Sequence, residues 1–396
     1  MAEGKHLRLI LHDFLSVDEC KELEFIHKSS STVGYRPNVF STTLSHLIAT
    51  NCPHFIIPFV PVRERLKEKV EEFFGCEYEL VVEFTGLISW SRGASIGWHS
   101  DDNRSYLKQR DFTAVCYLNS YDEDFKGGLF HFQDGEPTTV VPMAGDVVIY
   151  TADSCNVHSV DEIIEGERLT LTLWFSRDSA HDEDAKLISL LSENILYSSN
   201  SVPGSKLFPV LASSNMYWFS PESVSSQLSG FDICCARILV LGFDIYSSKG
   251  KSSFSDFTEL LTEPVQLARG NELFEREFVN ILHLLQVVQF YYWKASELLS
   301  SGLEVEPGEV IQVSQSQQEK INILKSLVQK DHQLPEMVFG CVSFFKNLKH
   351  SFDWEKFSAA IASWEDYTCR LHKDLLMSLP YWRTQQIIYS VQFEDT

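Results

Sequence analysis

The hydrophobic residues of the first 75 positions recur at the spacing typical of helices. Ser16 and Glu19 stand three residues apart in a capping-box pattern, which predicts a helix that runs through CKELEFIHKS. A second helix is predicted for RERLKEKVEEFFG, where Leu66 and Val70 share one face and Gly75 supplies a stop. We therefore predict that this part of the chain consists of helices and loops.

The hydrophobic period then changes from helical to alternating. Turn signals such as Gly127-Gly128, Asp134-Gly135 and Glu165-Gly166 separate short runs rich in β-branched and aromatic residues. These runs are ELVVEFTGLISWS, DFTAVCYLNS, GGLFHFQ, TTVVPMAGDVVIYTA, NVHSVDEI and ERLTLTLWFS. Because no helical pattern lies between them, they predict an antiparallel sandwich or jelly roll, with the preceding helices covering one outer face.

Beyond residue 180 the pattern changes again. A serine-rich stretch is followed, after residue 264, by segments with helical spacing such as LARGNELFEREFVNILHLLQVVQFYYWKASELL and WEKFSAAIASWEDYTCRLHKDLLMSL. We predict an α+β protein in which residues 1–180 form the jelly-roll domain with its N-terminal helices. Residues 181–396 are predicted to form a mainly α-helical C-terminal region of unknown role.

Composition and charge narrow the class of protein. The chain has 396 residues, 44% of them hydrophobic, with a formal net charge of −22, which argues against nucleic-acid binding. Charged residues interrupt every apolar run before it reaches the length of a membrane span or a secretory signal. Nine cysteines without zinc-site spacing are expected to be reduced thiols, so we expect a cytoplasmic or nuclear protein.

Candidate chemistry first appears in GWHSDDNRSY, residues 97–106. Residues two apart on a strand share a face, so His99 and Asp101 at a strand end are able to hold one metal ion. The pair His372 and Asp374 has the same spacing, but it lies in a helical pattern where the two side chains diverge. His158, on a later strand, supplies a third candidate ligand. Two imidazoles and one carboxylate are the ligand set of non-heme Fe(II) sites.

The strand RLTLTLWF carries a second candidate feature. Alternation places Arg168, Thr170, Thr172 and Trp174 on one face, opposite a face of leucines and Phe175 that is expected to be core. An inward guanidinium matches a carboxylate, and the Thr170 hydroxyl is placed to contact the same group. A metal at one end of a cavity and this pair at the other describe a site for 2-oxoglutarate. Trp98 and Trp174 are expected to wall the cavity.

Four segments carry a resemblance to a known family. ISWSRGASIGWHSDDN, RDFTAVCYLNSYDEDFKGGLFHF, PMAGDVVIYTADSCNVHSV and GERLTLTLWFSRD resemble the Fe(II)/2-oxoglutarate-dependent oxygenases of the prolyl hydroxylase group, and most closely the leprecan-like prolyl 3-hydroxylases and their soluble relatives. The resemblance covers about residues 80–178. The chain departs from some prolyl 4-hydroxylases, which carry tyrosine at the position of Trp90 and lysine at that of Arg168.

The resemblance implies a double-stranded β-helix fold and a set of roles. Fe(II) would be held by His99, Asp101 and His158, with no catalytic residue beyond this metal centre. Arg168 and the Tyr117 hydroxyl would contact the distal carboxylate of 2-oxoglutarate. Dioxygen would be the other co-substrate and ascorbate an accessory reductant.

The function that these observations favour is hydroxylation of a protein or peptide side chain, with proline the expected residue. Two alternatives stay open: the same chemistry on a small molecule or another residue, and a non-catalytic interaction protein that uses its helical region.

His131 is expected to be a hydrogen-bonded strand residue and Asp102 to be solvated. The sequence gives neither the substrate nor the oligomeric state.

Overall fold

The structure is a computed structural model. It describes residues 6–30, 32–36, 38–49, 52–76, 81–200, 235–240, 243–248, 289–290, 293–294 and 354–393. Within these residues every helix is too short or too polar to cross a membrane.

The described elements are fourteen strands and five α-helices. The strands are β1 Arg8–Leu11, β2 Thr32–Arg36, β3 Val39–Thr43, β4 Val81–Ser91, β5 Ile96–His99, β6 Phe112–Tyr117, β7 Phe125–Gly127, β8 Phe130–Phe132, β9 Thr139–Val140, β10 Val147–Thr151, β11 His158–Val160, β12 Ile163–Ser176, β13 Cys235–Val240 and β14 Phe243–Ser248. The helices are α1 Val17–Lys28, α2 Leu44–Ala49, α3 Phe59–Phe74, α4 Asp184–Asn200 and α5 Trp354–Gln385.

Two antiparallel sheets form the predicted jelly-roll core. The major sheet has the order β1-β10-β6-β12-β4-β3-β2-β13-β14, with β7 also paired to β12, and the minor sheet has the order β5-β11-β8-β9. Between the sheets lies an apolar cluster that includes Val115, Phe130, Phe132, Val148 and Tyr150. The α+β prediction with a jelly-roll core is therefore confirmed.

Both predicted N-terminal helices are present. The Ser16 hydroxyl accepts a hydrogen bond from the Glu19 amide at 3.2 Å, and the Glu19 carboxylate accepts one from the Ser16 amide at 2.8 Å. Helix α3 begins at Phe59, earlier than predicted, and ends where Gly75 adopts a left-handed conformation with φ of 59°. The helices pack on the outer face of the major sheet, which bears Leu169, Leu171 and other buried residues of β12.

The prediction of only helices and loops before residue 76 is wrong. Strand β1 pairs with β10, β3 pairs with β4, and β2 pairs with β3. Each of these strands has four or five residues, and β1 and β3 complete their hydrogen bonds with partners far along the chain. A run this short has too little local periodicity to reveal itself, because its stability comes from the partner strand.

Part of the C-terminal region packs on the N-terminal helices. Residues of α4 and α5, among them Leu187, Leu371 and Trp382, belong to the same apolar cluster as residues of α1 and α3. The Arg63 guanidinium of α3 forms a buried ion pair with Asp184 of α4 at 2.5 Å. Strands β13 and β14 were not foreseen, whereas most of the helices predicted between residues 264 and 353 lie outside the described residues.

Candidate metal and co-substrate site

His99 and His158 are cross-strand partners in the minor sheet. Strand β5 pairs with β11 through His99 opposite His158 and Ile96 opposite Val160. Two residues of β5 therefore face one residue of β11, which is a β-bulge. Because of the bulge, Ile96 and His99 both face the interior although they are three residues apart. The two imidazole centroids lie 4.3 Å from each other.

Backbone carbonyls fix the tautomer of both imidazoles. Nδ1 of His99 lies 2.8 Å from the Gly97 carbonyl oxygen, and Nδ1 of His158 lies 2.9 Å from that of Asn156. A carbonyl oxygen only accepts, so each Nδ1 must donate, and in the neutral ring Nε2 then keeps its lone pair. Burial lowers the pKa of His158 to about 4, although the charge of Asp101 opposes the shift. His158 is thus neutral at neutral pH, as a metal ligand must be.

Asp101 lies in the turn that follows β5, close to both imidazoles. Its Oδ2 accepts hydrogen bonds from the Thr113 hydroxyl at 2.7 Å and the Tyr150 hydroxyl at 3.1 Å. Its Oδ1 lies 3.8 Å from Nε2 of His158. Burial by itself raises the pKa of Asp101, but the neighbouring His158, His99 and Arg110 outweigh it and hold the pKa below its ordinary value. The carboxylate is therefore ionised at neutral pH.

The three side chains form a compact donor cluster. One candidate ligand atom from each of His99, Asp101 and His158 lies within 4.8 Å of the other two, and this is the one such cluster found among the described residues. Two neutral nitrogens and one anionic oxygen suit a borderline divalent ion such as Fe(II) better than calcium or magnesium, which prefer all-oxygen sites. The residues present therefore fit the metal that the sequence predicts.

Arg168 is a buried cation without a carboxylate partner in the part of the chain that the structure describes. Its side chain extends from β12 into the interior between the sheets, where the residue is 2% exposed. Its Nε has no hydrogen-bond partner among the described residues, and no described carboxylate forms an ion pair with it. Burying an unpaired charge is costly, so such a guanidinium indicates a site for an anionic ligand.

Tyr117 and Thr170 stand beside this guanidinium. Thr170 pairs with Tyr117 across β12 and β6, and the Arg168 guanidinium carbon lies 5.1 Å from the centroid of the Tyr117 ring. The Tyr117 hydroxyl is buried, and the charge of the neighbouring Arg168 opposes the rise in the Tyr117 pKa that burial causes. The Thr170 hydroxyl donates to the Ile88 carbonyl at 3.4 Å, which is a long hydrogen bond. The predicted carboxylate-binding residues are thus brought together around one buried point.

Several other sequence predictions concern residues outside this cluster. His131 contacts Thr139 and Asp161, as expected for a hydrogen-bonded strand residue, and His372 lies on helix α5. Asp102 was expected to be solvated, but its side chain accepts hydrogen bonds from Lys108 and Ser100 and is nearly buried. Trp98 was expected to wall the cavity and is instead 57% exposed, because the bulge turns it outward.

Two residues whose hydroxyls donate to the Asp101 carboxylate were missed. Tyr150 and Thr113 are register partners on β10 and β6, and their side chains share the face that contains Tyr117. The alternation of VVIYT contains this signal, since it places Val148 and Tyr150 on one face. Only the pairing of β10 with β6 brings that face to Asp101.

Comparison with known proteins identifies the class of domain that carries this site. Residues 85–176 match the model of the 2OG-Fe(II) oxygenase superfamily. The segment that contains the three metal-ligand candidates and Arg168 is therefore a 2OG-Fe(II) oxygenase domain, as the sequence resemblance predicted.

Two curated relatives are similar over parts of the chain. A 2-oxoglutarate and iron-dependent oxygenase domain-containing protein 3 from Rattus norvegicus is 36% identical over 128 residues, which cover 30% of this chain and 41% of that protein. Prolyl 3-hydroxylase 1 from Gallus gallus is 24% identical over 220 residues, which cover 44% of this chain and 30% of that protein. The chain thus spans less than half the length of these relatives.

Solved structures of prolyl hydroxylases also align with this chain. A Pseudomonas putida prolyl-4-hydroxylase aligns with a TM-score of 0.36 at 20% identity, over 44% of this chain and 94% of that chain. A viral collagen prolyl hydroxylase from Paramecium Bursaria Chlorella virus-1 aligns with a TM-score of 0.35 at 19% identity, over 43% of this chain and 96% of that chain.

Proposed function

We propose that this protein is an Fe(II)- and 2-oxoglutarate-dependent dioxygenase that hydroxylates a side chain of a protein or peptide, with a prolyl residue as the expected target. The observation that carries the proposal is the pairing of two features in one buried interior. These features are the cluster of His99, Asp101 and His158 and the buried Arg168 guanidinium, which has no carboxylate partner among the described residues. A domain that binds partners without catalysis has no need for either feature.

In this proposal His99, Asp101 and His158 hold Fe(II). Their backbone and side-chain hydrogen bonds keep both Nε2 lone pairs and the carboxylate ready for the ion, so little rearrangement is needed on binding. When bound, the iron would couple two reactions. One is the oxidative decarboxylation of 2-oxoglutarate to succinate and CO2, and the other is the insertion of one oxygen atom of dioxygen into a substrate C–H bond. The protein supplies orientation, charge balance and exclusion of water.

Arg168 and Tyr117 would bind the distal carboxylate of 2-oxoglutarate. The guanidinium would gain a charge-assisted pair in a dry interior, and the Tyr117 hydroxyl would gain an acceptor. A carboxylate is also a stronger acceptor than the carbonyl of Ile88, so the Thr170 hydroxyl would turn from its long contact toward the ligand. These three contacts would hold the keto acid with its reactive end toward the metal.

Release of succinate from 2-oxoglutarate under anaerobic and aerobic conditions tests this function. We expect wild-type protein to release succinate only when both Fe(II) and oxygen are present. We expect the rate of His99→Ala to fall by more than about 100-fold, because removing only a hydrogen-bond partner of a metal ligand already costs about 10–100-fold. The matched control is His131→Ala, another strand histidine that bonds to Thr139 and Asp161. A wild-type protein that binds no iron, or a His99→Ala variant with full turnover, would refute the proposal.

The prolyl target is supported by the partial similarity to prolyl 3-hydroxylase 1. Incubation of a proline-containing peptide library with the loaded protein, followed by mass spectrometry, tests it. We expect a gain of one oxygen atom on a prolyl residue. Modification of other residues would change the assigned target, and unmodified peptides together with turnover on a metabolite extract would favour a small-molecule substrate.

Two further expectations belong to the same proposal. We expect ascorbate to sustain turnover by keeping the iron reduced, which a comparison of succinate release with and without ascorbate measures over many cycles. We also expect a cytoplasmic or nuclear location, which imaging of the tagged full chain in cells tests.

A further inference from the structure

We infer that Tyr150 and Thr113 are positioning residues that hold Asp101 by its Oδ2 atom and thereby present Oδ1 to the metal ion. This inference rests on the metal site of the proposed function and adds the means by which the carboxylate is oriented. It is carried by the hydrogen bonds around Asp101 and by the burial of all three residues.

The two oxygens of Asp101 have different surroundings. Oδ2 accepts from the Thr113 hydroxyl at 2.7 Å and from the Tyr150 hydroxyl at 3.1 Å. Oδ1 lies on the side of His158, with 3.8 Å between Oδ1 and Nε2. Since two donors already occupy Oδ2, the oxygen left for an ion between the two imidazoles is Oδ1.

Tyr150 also lies next to a second candidate ligand. Its hydroxyl is 3.4 Å from Nε2 of His158, and its ring contacts the His158 ring edge-on with centroids 5.1 Å apart. Nε2 of His158 carries a lone pair, because Nδ1 donates to the Asn156 carbonyl. An ion would occupy that lone pair, which leaves Asp101 as the acceptor for the Tyr150 hydroxyl.

The sheet fixes both donors in place. Tyr150 and Thr113 face each other across β10 and β6, and Tyr150 packs among Phe130, Phe132 and other residues between the two sheets. A phenylalanine at position 150 would fill the same volume, so packing does not require the hydroxyl. The hydroxyl is explained by its contact with Asp101, which satisfies a buried carboxylate.

Metal affinity measured without turnover tests the inference. Full-length wild-type, Tyr150→Phe and Thr113→Val proteins are titrated with Co(II), and binding is followed by calorimetry and by the visible spectrum of the bound ion. We expect each variant to bind Co(II) about tenfold more weakly than the wild type, as is usual when a partner of a metal ligand is removed. We expect the double variant to lose more Co(II) affinity than either single variant. We also expect the visible spectrum of bound Co(II) to change, because the Asp101 carboxylate is then free to rotate.

The matched control is Tyr367→Phe. Tyr367 is a buried tyrosine that donates to a carboxylate, Glu22, at 2.7 Å in the helical layer. We expect Tyr367→Phe to lower the unfolding temperature without changing the affinity for Co(II) or the visible spectrum of the bound ion. Equal Co(II) affinity in wild type and in both site variants would overturn the inference, whereas a wild type that binds no Co(II) would overturn the proposed function instead. If Tyr150→Phe does not fold, Thr113→Val still decides the matter.

Discussion

Gly128 leaves room for the Arg168 side chain. It has a φ of +66°, and a β-carbon at this position would lie 2.3 Å from Cδ1 of Ile163 and 3.2 Å from Cδ of Arg168. Two features therefore disfavour a side chain at position 128. The backbone has a positive φ, and a β-carbon would lie too close to Ile163 and Arg168. The position of the guanidinium depends on a residue that has no side chain of its own.

We predict that Gly128→Ala lowers the free energy of unfolding by more than about 2 kcal/mol and weakens 2-oxoglutarate binding, because Ile163 and Arg168 must both move. Chemical denaturation and calorimetric titration with 2-oxoglutarate measure the two effects. Gly75→Ala is the control, since Gly75 has a φ of +59° and nothing within 4 Å of its added β-carbon. The control is expected to show only the conformational cost, about 1–2 kcal/mol. Equal effects of the two substitutions would contradict this account.

At the scale of single elements, the bulge in β5 determines how the site is assembled. Regular alternation would place Ile96 and His99 on opposite faces of the strand. The extra residue lets Ile96 enter the apolar cluster while His99 meets His158, and it sends Trp98 to the surface. The structure places candidate ligand atoms of His99 and Asp101 close together, although Asp101 lies in the turn beyond the strand rather than on it.

The Arg63–Asp184 pair joins three elements. The Asp184 carboxylate accepts from the Arg63 guanidinium at 2.5 Å and from the Ile388 amide at 2.9 Å, so it connects α3, α4 and the segment after α5. We predict that Asp184→Ala lowers the free energy of unfolding by about 3–5 kcal/mol, because it leaves a buried arginine and a buried amide without partners. Urea denaturation measures the loss.

The control for this prediction is Lys69–Glu72, a pair of opposite charges on the surface of α3. Lys69→Ala is expected to leave the free energy of unfolding close to that of the wild type, because solvent screens exposed pairs. An Asp184→Ala variant as stable as Lys69→Ala would show that the buried pair does not join the elements.

At the scale of the whole molecule, helix α5 shares one apolar cluster with α1, α3 and the major sheet. Phe25 of α1 contacts Tyr367 of α5 and also Phe290 and Trp293, which belong to the short described part between them. The boundary predicted at residue 180 stays a prediction. The packing of α4 and α5 against α1 and α3 nevertheless indicates that these elements unfold together.

Neighbouring residues of α5 offer a test of this coupling. Trp382 is 1% exposed and donates from its indole nitrogen to the Tyr389 carbonyl at 2.7 Å, whereas Tyr381 is 52% exposed. We predict that Trp382→Ala lowers the free energy of unfolding by about 3–5 kcal/mol and that Tyr381→Ala changes it little. Thermal unfolding of the wild type, followed by circular dichroism and by release of bound Co(II), should show one transition. Release of Co(II) in a separate, later transition would mean that the C-terminal helices fold independently.

Local patterns in the sequence determined much of this protein. The capping box of α1, the stop at Gly75, the alternation in β12 and the spacing of His99 and Asp101 act over a few residues, so the linear chain displays them. The metal-ligand candidates and Arg168 can likewise be recognised in the sequence, because few other roles require these residue types together.

Only the tertiary structure decided which distant residues meet. The pairing of β10 with β6 brings Tyr150 and Thr113 to Asp101, the bulge in β5 sets His99 opposite His158, and β1 and β3 become strands by joining partners far along the chain. Each depends on hydrogen bonds and packing between segments far apart in sequence. Local preferences are weak beside such contacts, and a linear pattern carries no record of which segment will supply them.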